Sequence, residues 1–496
     1  MVYDINEKQQ YSTMNMHDIM AVIDLGSASS VGMLGYKDAD NVVHPTAFVE
    51  EPSLGNIRHG YVYNVDGTAA LIKRIVTALD KNLEENLTIS QVYVGVGAQS
   101  LSTTEYIVSR SFPEEIIISE ELIQEFTEEV ERVYTEGRET LMITAPFFIV
   151  NGMQALRPQG MPCREIEAVF QIVSARSSIK RNVQLAVEKA GLGFAGLLVS
   201  PIALAEVTLS AEERILGCSQ IDLGAGCTSV CIYKSGTLAM LQVLPMGGAN
   251  VTMDLTSLRL VEADAEALKL DSASMNIEND KEKTLSIKVP DRQTERVIKY
   301  YDIGKLTAAR MKEILANIVN IIKISNLQNT LDAGMQVGGG GAQLDGFIDY
   351  LTKELQAVNP IQLRHDLISW DLDEALRPKL YTAIGLLRMA NMACTTNKRP
   401  WSEYVDETLQ KSERTETDDL ATDPWSRKGE NADVISSGIT IEHNSNEKNE
   451  EKKGSLKKKK SEEKKTSKIG AIFGDKINRL FDFLGDGDET DNNTKN

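Results

Sequence analysis

Two short segments of the same design, about 200 residues apart, constrain this 496-residue chain more than anything else in it. Ala21 to Tyr36 reads AVIDLGSASSVGMLGY, and Ser219 to Gly236 reads SQIDLGAGCTSVCIYKSG. Each runs an apolar strand into Asp-Leu-Gly, passes through small residues and returns along a second apolar strand. Such a turn exposes backbone N–H groups and hydroxyls, and no bulky Cβ keeps a phosphate away. The aspartate at the strand end, Asp24 or Asp222, can orient a metal ion or its water. One such hairpin is ordinarily no more than a buried strand and turn. A pair points to two related domains clasping one ligand.

A third element belongs with them. Met335 to Leu344 reads MQVGGGGAQL, a short apolar strand, four glycines and the start of a helical pattern. Glycine lets the backbone approach a flat ring or sugar, and a helix N-terminus favours negative charge. A flexible loop is the alternative for any glycine run, but the strand before and the amphipathic stretch after favour a shaped one. There is no GxxxxGK[ST], which excludes a P-loop.

Around these motifs, from about Asp18 to Met392, β-rich runs alternate with amphipathic stretches, as in a mixed α/β protein of two or more domains. Helices are expected at Asp66–Leu83, Glu120–Tyr134, Ser178–Ala190, Lys305–Gln328, Gln343–Ala357 and Leu376–Met392. Strands are expected at Ala21–Leu25, Gln91–Val96, Phe147–Val150, Ala168–Ser174, Ser219–Leu223 and Met335–Val337. A net charge of −19 argues against nucleic acid as the main partner. Five cysteines without a CxxC pair fit a reducing compartment, with Cys227 and Cys231 as small packing residues. The N-terminal stretch has no apolar signal core. The most apolar run, Gly191–Leu209, is broken by Pro201 and Glu206 and cannot span a bilayer.

From Thr395 to Ser467 periodic apolar residues nearly vanish, so a disordered linker is expected. Its end, Lys448–Lys468, holds ten Lys and four Glu. Directly after it, Ile469, Ile472, Phe473, Ile477, Leu480, Phe481 and Leu484 fall on one half of a helix, while Asp475, Asn478, Arg479 and Asp482 fall on the other. Lys476 lies within the apolar arc and would have to snorkel. This segment suits lying in a bilayer surface rather than crossing it. The basic run before it would attract anionic lipid. A helix docked on a protein groove is the alternative.

The order hairpin, hairpin, glycine-rich turn resembles the actin-like ATPase superfamily, and within it the FtsA family of bacterial cell-division proteins. AVIDLGSASS, PSLGNIRHGYVYN, IKRNVQLAVEKAGL, IDLGAGCTSV, PMGGANVTMDL, ADAEALK and VGGGGAQLDGF carry the likeness, in the family's order, over Ala21 to Leu387. The basic linker and terminal amphipathic helix add to it. The resemblance implies a duplicated, ribonuclease H-like two-domain fold with an inserted small subdomain: 1A over 18–97 and 176–215, 1C over 98–175, 2A over 216–250 and 331–372, and 2B over 251–330. It further implies a closing helix over 373–394 on 1A, a linker over 395–467 and a membrane-targeting helix over 468–485.

The resemblance also assigns roles. Gly26, Ser27 and Ala28 would meet the phosphates of ATP from one domain, and Gly224, Ala225, Gly226 and Cys227 from the other. Asp24 and Asp222 would hold Mg2+ through water. Gly247, Gly248 and Asn250 match a hinge-side segment. Glu266 and Lys269 would reach the adenosine, with Gly338, Gly339 and Gly340 beneath it. Implied partners are the FtsZ tail on 2B, further copies of the chain in a protofilament through 1C, anionic lipid and other division proteins. The implied place is the cytoplasmic face of the inner membrane at the division septum.

Departures from the family pattern bear on turnover. Ser29 stands where the first motif usually carries Lys, a point charge on phosphate. Ala225, Cys227 and Ser229 replace a usual Gly, Thr and acidic residue. Backbone donors do most of the cradling, so binding should survive while hydrolysis should be slow or absent. A sugar or acid kinase, a chaperone-type ATPase and a pilus-assembly relative share such a fold. None of them has a use for a long arm ending in an amphipathic helix.

Overall fold

Met20–Leu25 is buried at every position except Asp24, a pattern that requires cover on both faces of a sheet. In this computed structural model that strand is central. The residues described are 2–4, 19–277, 281–289, 294–354, 358–369 and 377–398, all within the unit Met1–Ser412. The expected linker beyond Lys398 and the terminal helix, with Ile469, Ile472, Phe473, Ile477, Leu480, Phe481 and Leu484, lie outside the described residues.

Two sheets repeat one plan. In the first, Val43–Pro52, Ser29–Lys37 and Met20–Leu25 form an antiparallel meander, and Gln91–Val96 and Gly193–Val199 continue it in parallel. In the second, Thr237–Leu244, Thr228–Lys234 and Cys218–Leu223 form the meander, and Met335–Gly338 and Val358–Pro360 the parallel pair. Parallel neighbours need a crossover, usually a helix. Val65–Leu79 and Ser177–Lys189 serve the first lobe, Tyr300–Ile324 and Phe347–Glu354 the second. Each lobe has its own core, around Ile23, Leu71 and Ile75 in one and Ile221, Ile314 and Phe347 in the other.

Between the parallel strands of the first lobe, residues 102–176 make a separate body. Its frame is Ser102–Ile117 paired along its length with Pro162–Arg176. Helix Glu120–Glu131 covers that ribbon and completes a third core of Val108, Phe126, Phe148 and Phe170. A Gln242↔Ser102 pairing joins this body to the second sheet.

Helices Ser200–Thr208 and Arg377–Met389 cross closely, because a Cβ on Gly385 would stand 1.9 Å from the Ala203 carbonyl oxygen. Leu380, Ile384 and Leu387 of the second helix enter the first lobe's core.

All six expected strands form, and Ala168–Ser174 is the inner part of the longer Pro162–Arg176. Helix ends differ for local reasons. The expected Lys305–Gln328 runs Tyr300–Ile324 and stops where Asn326 turns left-handed at φ 57°. The expected Gln343–Ala357 divides. Gly340–Gln343 is a 3-10 turn, Gly346 takes φ 76°, and the α-helix begins at Phe347. The linker does not begin at Thr395: Thr395–Asn397 pairs with Leu87–Ile89, where backbone bonding outweighs the loss of apolar periodicity.

Candidate functional site

The site is built where the two hairpin turns meet. A Cβ placed on Gly226 would lie 2.5 Å from Ser27 Oγ, so the second turn sits directly on the first. Gly26, Ser27 and Ala28 form one turn, and Gly224, Ala225, Gly226 and Cys227 the other, closed by Gly224 N–H donating to the Cys227 carbonyl at 2.9 Å.

In both turns the carbonyls are drawn into the protein. Ser53 Oγ donates to Gly26 O at 2.7 Å and Ser53 N–H to Ala28 O at 2.9 Å. In the second turn Gly248 N–H donates to Gly224 O at 2.9 Å and Ala249 N–H to Ala225 O at 2.8 Å. His59 Nδ1 lies 2.7 Å from Gly226 O. C=O and N–H point opposite ways across a trans peptide. Holding these carbonyls therefore turns the N–H groups of Ser27, Ala225, Gly226 and Cys227 outward, as a cradle for an anion.

The two aspartates lie at the strand ends behind these turns. Desolvation pushes the Asp24 carboxyl up to about 6, against a hydrogen bond from Ser200 Oγ at 2.7 Å, and the like charge of Asp222 raises it further. Desolvation likewise pushes Asp222 up to about 6. Among the described residues no three His, Cys, Asp or Glu side chains stand as a metal-holding group. Two buried carboxylates beside an anion cradle have the chemistry to hold Mg2+, a hard cation that keeps several waters and takes one or two carboxylates together with anionic oxygens. Burial pushes the Cys227 thiol up to about 12, so it is inert at neutral pH.

Gly247, Gly248 and Asn250 open the helix Gly248–Leu255 that clamps the second turn, with Asn250 Oδ1 accepting from Gly247 N–H at 2.9 Å. Lys269 Nζ donates to Gly248 O at 3.3 Å, to Thr252 Oγ1 at 3.0 Å and to Glu266 at 2.7 Å; Thr252 Oγ1 in turn donates to Glu266. Gly339 takes φ 89°, and a Cβ there would meet Asp222 Oδ1 and Leu223 O at 2.5 Å each. Glycine is thus required at 339 by the protein itself. Gly338 faces Ile361, whereas a Cβ on Gly340 would meet nothing within 4 Å. Ser29, at the usual Lys position, donates instead to Glu50 at 2.8 Å.

Sequence reasoning missed Ser53, His59, Ser200 and Thr252, the side chains that hold the predicted residues in place. The family-like stretch PSLGNIRHGYVYN contains two of them, Ser53 and His59. Separately, a polar cleft of about 470 Å³ lined by Ser274, Asn276, Tyr300 and Asp345 lies in the second lobe.

A duplicated sheet whose paired hairpins and glycine-rich turn converge on one cradle is the arrangement of an actin-like protein. The solved PilM–PilN type IV pilus biogenesis complex shares this fold, with TM-score 0.53 and 18% identity over 75% of this chain and 97% of that one. Cell division protein FtsA of Porphyromonas gingivalis is 38% identical over 97% of this chain and 99% of its own length. FtsA of Escherichia coli is 25% identical over 74% of this chain and 88% of its own. The family model described as Cell division protein FtsA matches residues 220–385. The chain belongs to the FtsA family of cell-division proteins.

Proposed function

We propose that this protein binds Mg-ATP between its lobes, assembles with further copies of itself, and tethers FtsZ filaments to the cytoplasmic face of the membrane at the division septum. The observation that carries the nucleotide reading is the pair of abutting turns whose Gly26, Ala28, Gly224, Ala225 and Gly226 carbonyls are held inward. Gly26, Ser27 and Ala28 and Gly224 to Cys227 would meet the phosphates, and Asp24 and Asp222 the waters of the metal. Gly340, open on its Cβ side, would lie under the adenosine beside Glu266 and Lys269. When bound, the Mg2+ would neutralise phosphate charge.

Lys269 is already paired with Glu266, and Ser29 with Glu50. Serine brings no charge to the position where the family pattern has Lys, and the Lys269 cation is engaged by Glu266, so nucleotide acts here as an assembly ligand with slow turnover. Phosphate release at kinase-like rates, ~1–100 s⁻¹, would overturn this.

In this reading the subdomains are 1A, 1C (98–175), 2A and 2B (251–330). 1C, with its own core, would meet the next protomer, and 2B would receive the FtsZ tail; other division proteins would be further partners. The terminal segment from Ile469 to Leu484 would be an in-plane anchor. Each large apolar side chain buried in lipid gains ~1.5–3 kcal/mol, offset by ordering the chain. A weak single anchor multiplied along a polymer gives firm attachment. Among the described residues no helix is long and apolar enough to cross a membrane. The test is flotation with anionic liposomes and purified FtsZ. Phe473→Glu with Phe481→Glu should leave both proteins at the bottom of the gradient while ATP binding stays intact. Continued flotation of the double variant would refute the anchor.

A further inference from the structure

We infer that His59 is a positioning residue that completes the phosphate cradle across the two lobes; this rests on the nucleotide reading above. Ile57–Arg58 and Tyr61–Val62 form a minimal hairpin, with Arg58 opposite Tyr61. The two residues between them, His59 and Gly60, both take left-handed φ, 48° and 69°. That geometry belongs to a type I′ turn, whose first position prefers Asn, Asp or Gly. A histidine there costs backbone strain, and strain of this kind persists where the surroundings impose it.

The surroundings are the two phosphate turns. Gly60 N–H donates to Ser27 Oγ of the first at 3.2 Å, and His59 Nδ1 lies 2.7 Å from Gly226 O of the second. A carbonyl only accepts, so Nδ1 carries the proton. The loop is braced from behind: Gln99 N–H donates to His59 O at 3.1 Å, and a Cβ on Gly60 would stand 2.3 Å from Gly97 O. One rigid wedge in the first lobe therefore touches both turns.

The three carbonyls of the second turn that are held from outside it are not equivalent. Gly224 O and Ala225 O are held by the second lobe's own helix, whatever the first lobe does. Among the described residues Gly226 O is held from the other lobe alone, by His59. Because C=O and N–H oppose each other in a trans peptide, His59 sets the direction of the Cys227 N–H. That donor would be aimed correctly only while the lobes are together. His59 thereby makes phosphate affinity depend on lobe closure.

The test uses the full chain, titrated by calorimetry with ATP, ADP and adenosine in the presence of Mg2+. His59→Gly keeps the left-handed backbone and removes the ring. His59→Asn also tolerates that backbone and offers an amide N–H near the position of Nδ1. We expect His59→Gly to weaken ATP and ADP about five- to tenfold, the scale of one lost hydrogen bond. Adenosine should bind as to the unsubstituted protein, and His59→Asn should recover most of the loss. Unchanged ATP affinity in His59→Gly overturns the role, as does an equal loss for adenosine or an Asn variant no better than Gly. Should His59→Gly fail to fold, His59→Asn decides: affinity near that of the unsubstituted protein supports the role, and a loss shared with adenosine overturns it. An unsubstituted protein that is folded and binds no ATP overturns the nucleotide reading itself, and this inference with it.

Discussion

The two hairpin turns are near-copies in sequence and are held by opposite means. In the first, one residue of a neighbouring loop, Ser53, satisfies both inward carbonyls, by its hydroxyl and its N–H. In the second, successive N–H groups at the start of the helix Gly248–Leu255 do so, helped by His59 from the other lobe. The first arrangement hangs partly on one hydroxyl and can be altered by a single side chain. At Gly224 and Ala225 the second is backbone on backbone, where no side-chain deletion removes it but added bulk between the partners does; Gly226 O alone leans on a side chain, His59. Duplication thus preserved the direction of the N–H groups and not the manner of holding them.

The comparison can be broken most severely at Gly247. A Cβ there would lie 2.4 Å from Gly224 O and 2.6 Å from Ala225 O. Gly247→Ala should cost about 3 kcal/mol, the scale of an overpacked core, seen as a fall in the denaturant midpoint. An unchanged midpoint would show that the helix does not clamp the second turn.

Next come the aspartates, which separate stability from function. Each carboxyl is raised to about 6 from 3.8, so the folded state binds the proton more tightly than the unfolded chain. Stability should fall as pH rises through about 4 to 6, and the penalty is complete above that window. At pH 7 it amounts to up to about 2–3 kcal/mol per carboxyl. Asp222→Asn should raise the urea midpoint at pH 7 without nucleotide, flatten the pH dependence and weaken Mg-dependent ATP binding. A lower midpoint at pH 7 would mean that the carboxylate is stabilised, not strained, by its surroundings.

Ser53→Ala probes the first turn's dependence on one hydroxyl. The N–H bond to Ala28 O remains, so the loss should be about 1–2 kcal/mol, with weaker ATP binding. If thermal melting and ATP affinity both stay put, the first turn is as independent of side chains as the backbone-held part of the second at Gly224 and Ala225. The smallest effect on stability is expected at Gly340. Gly340→Ala meets open space and should change stability by no more than about 0.5 kcal/mol, while a bulkier Gly340→Phe should block adenosine. Adenosine affinity unaltered by phenylalanine would remove Gly340 from the proposed ring site.

What the sequence determined by itself is local. Apolar runs flanking Asp-Leu-Gly, small turn residues and a strand before four glycines are sufficient to define the hairpins, the glycine-rich turn and hence the family. The amphipathic pattern from Ile469 to Leu484 needs only helical periodicity to be read. Only the tertiary structure decided who holds these parts. Ser200 reaches Asp24 across 176 positions and His59 reaches Gly226 across 167. It also decided that Gly339 faces Asp222 and that Thr395–Asn397 closes on Leu87–Ile89. Such partnerships leave no periodic trace in the chain. A backbone carbonyl accepts from any donor brought to it, so the choice of donor is made by the packing of whole elements and not by the residues on either side.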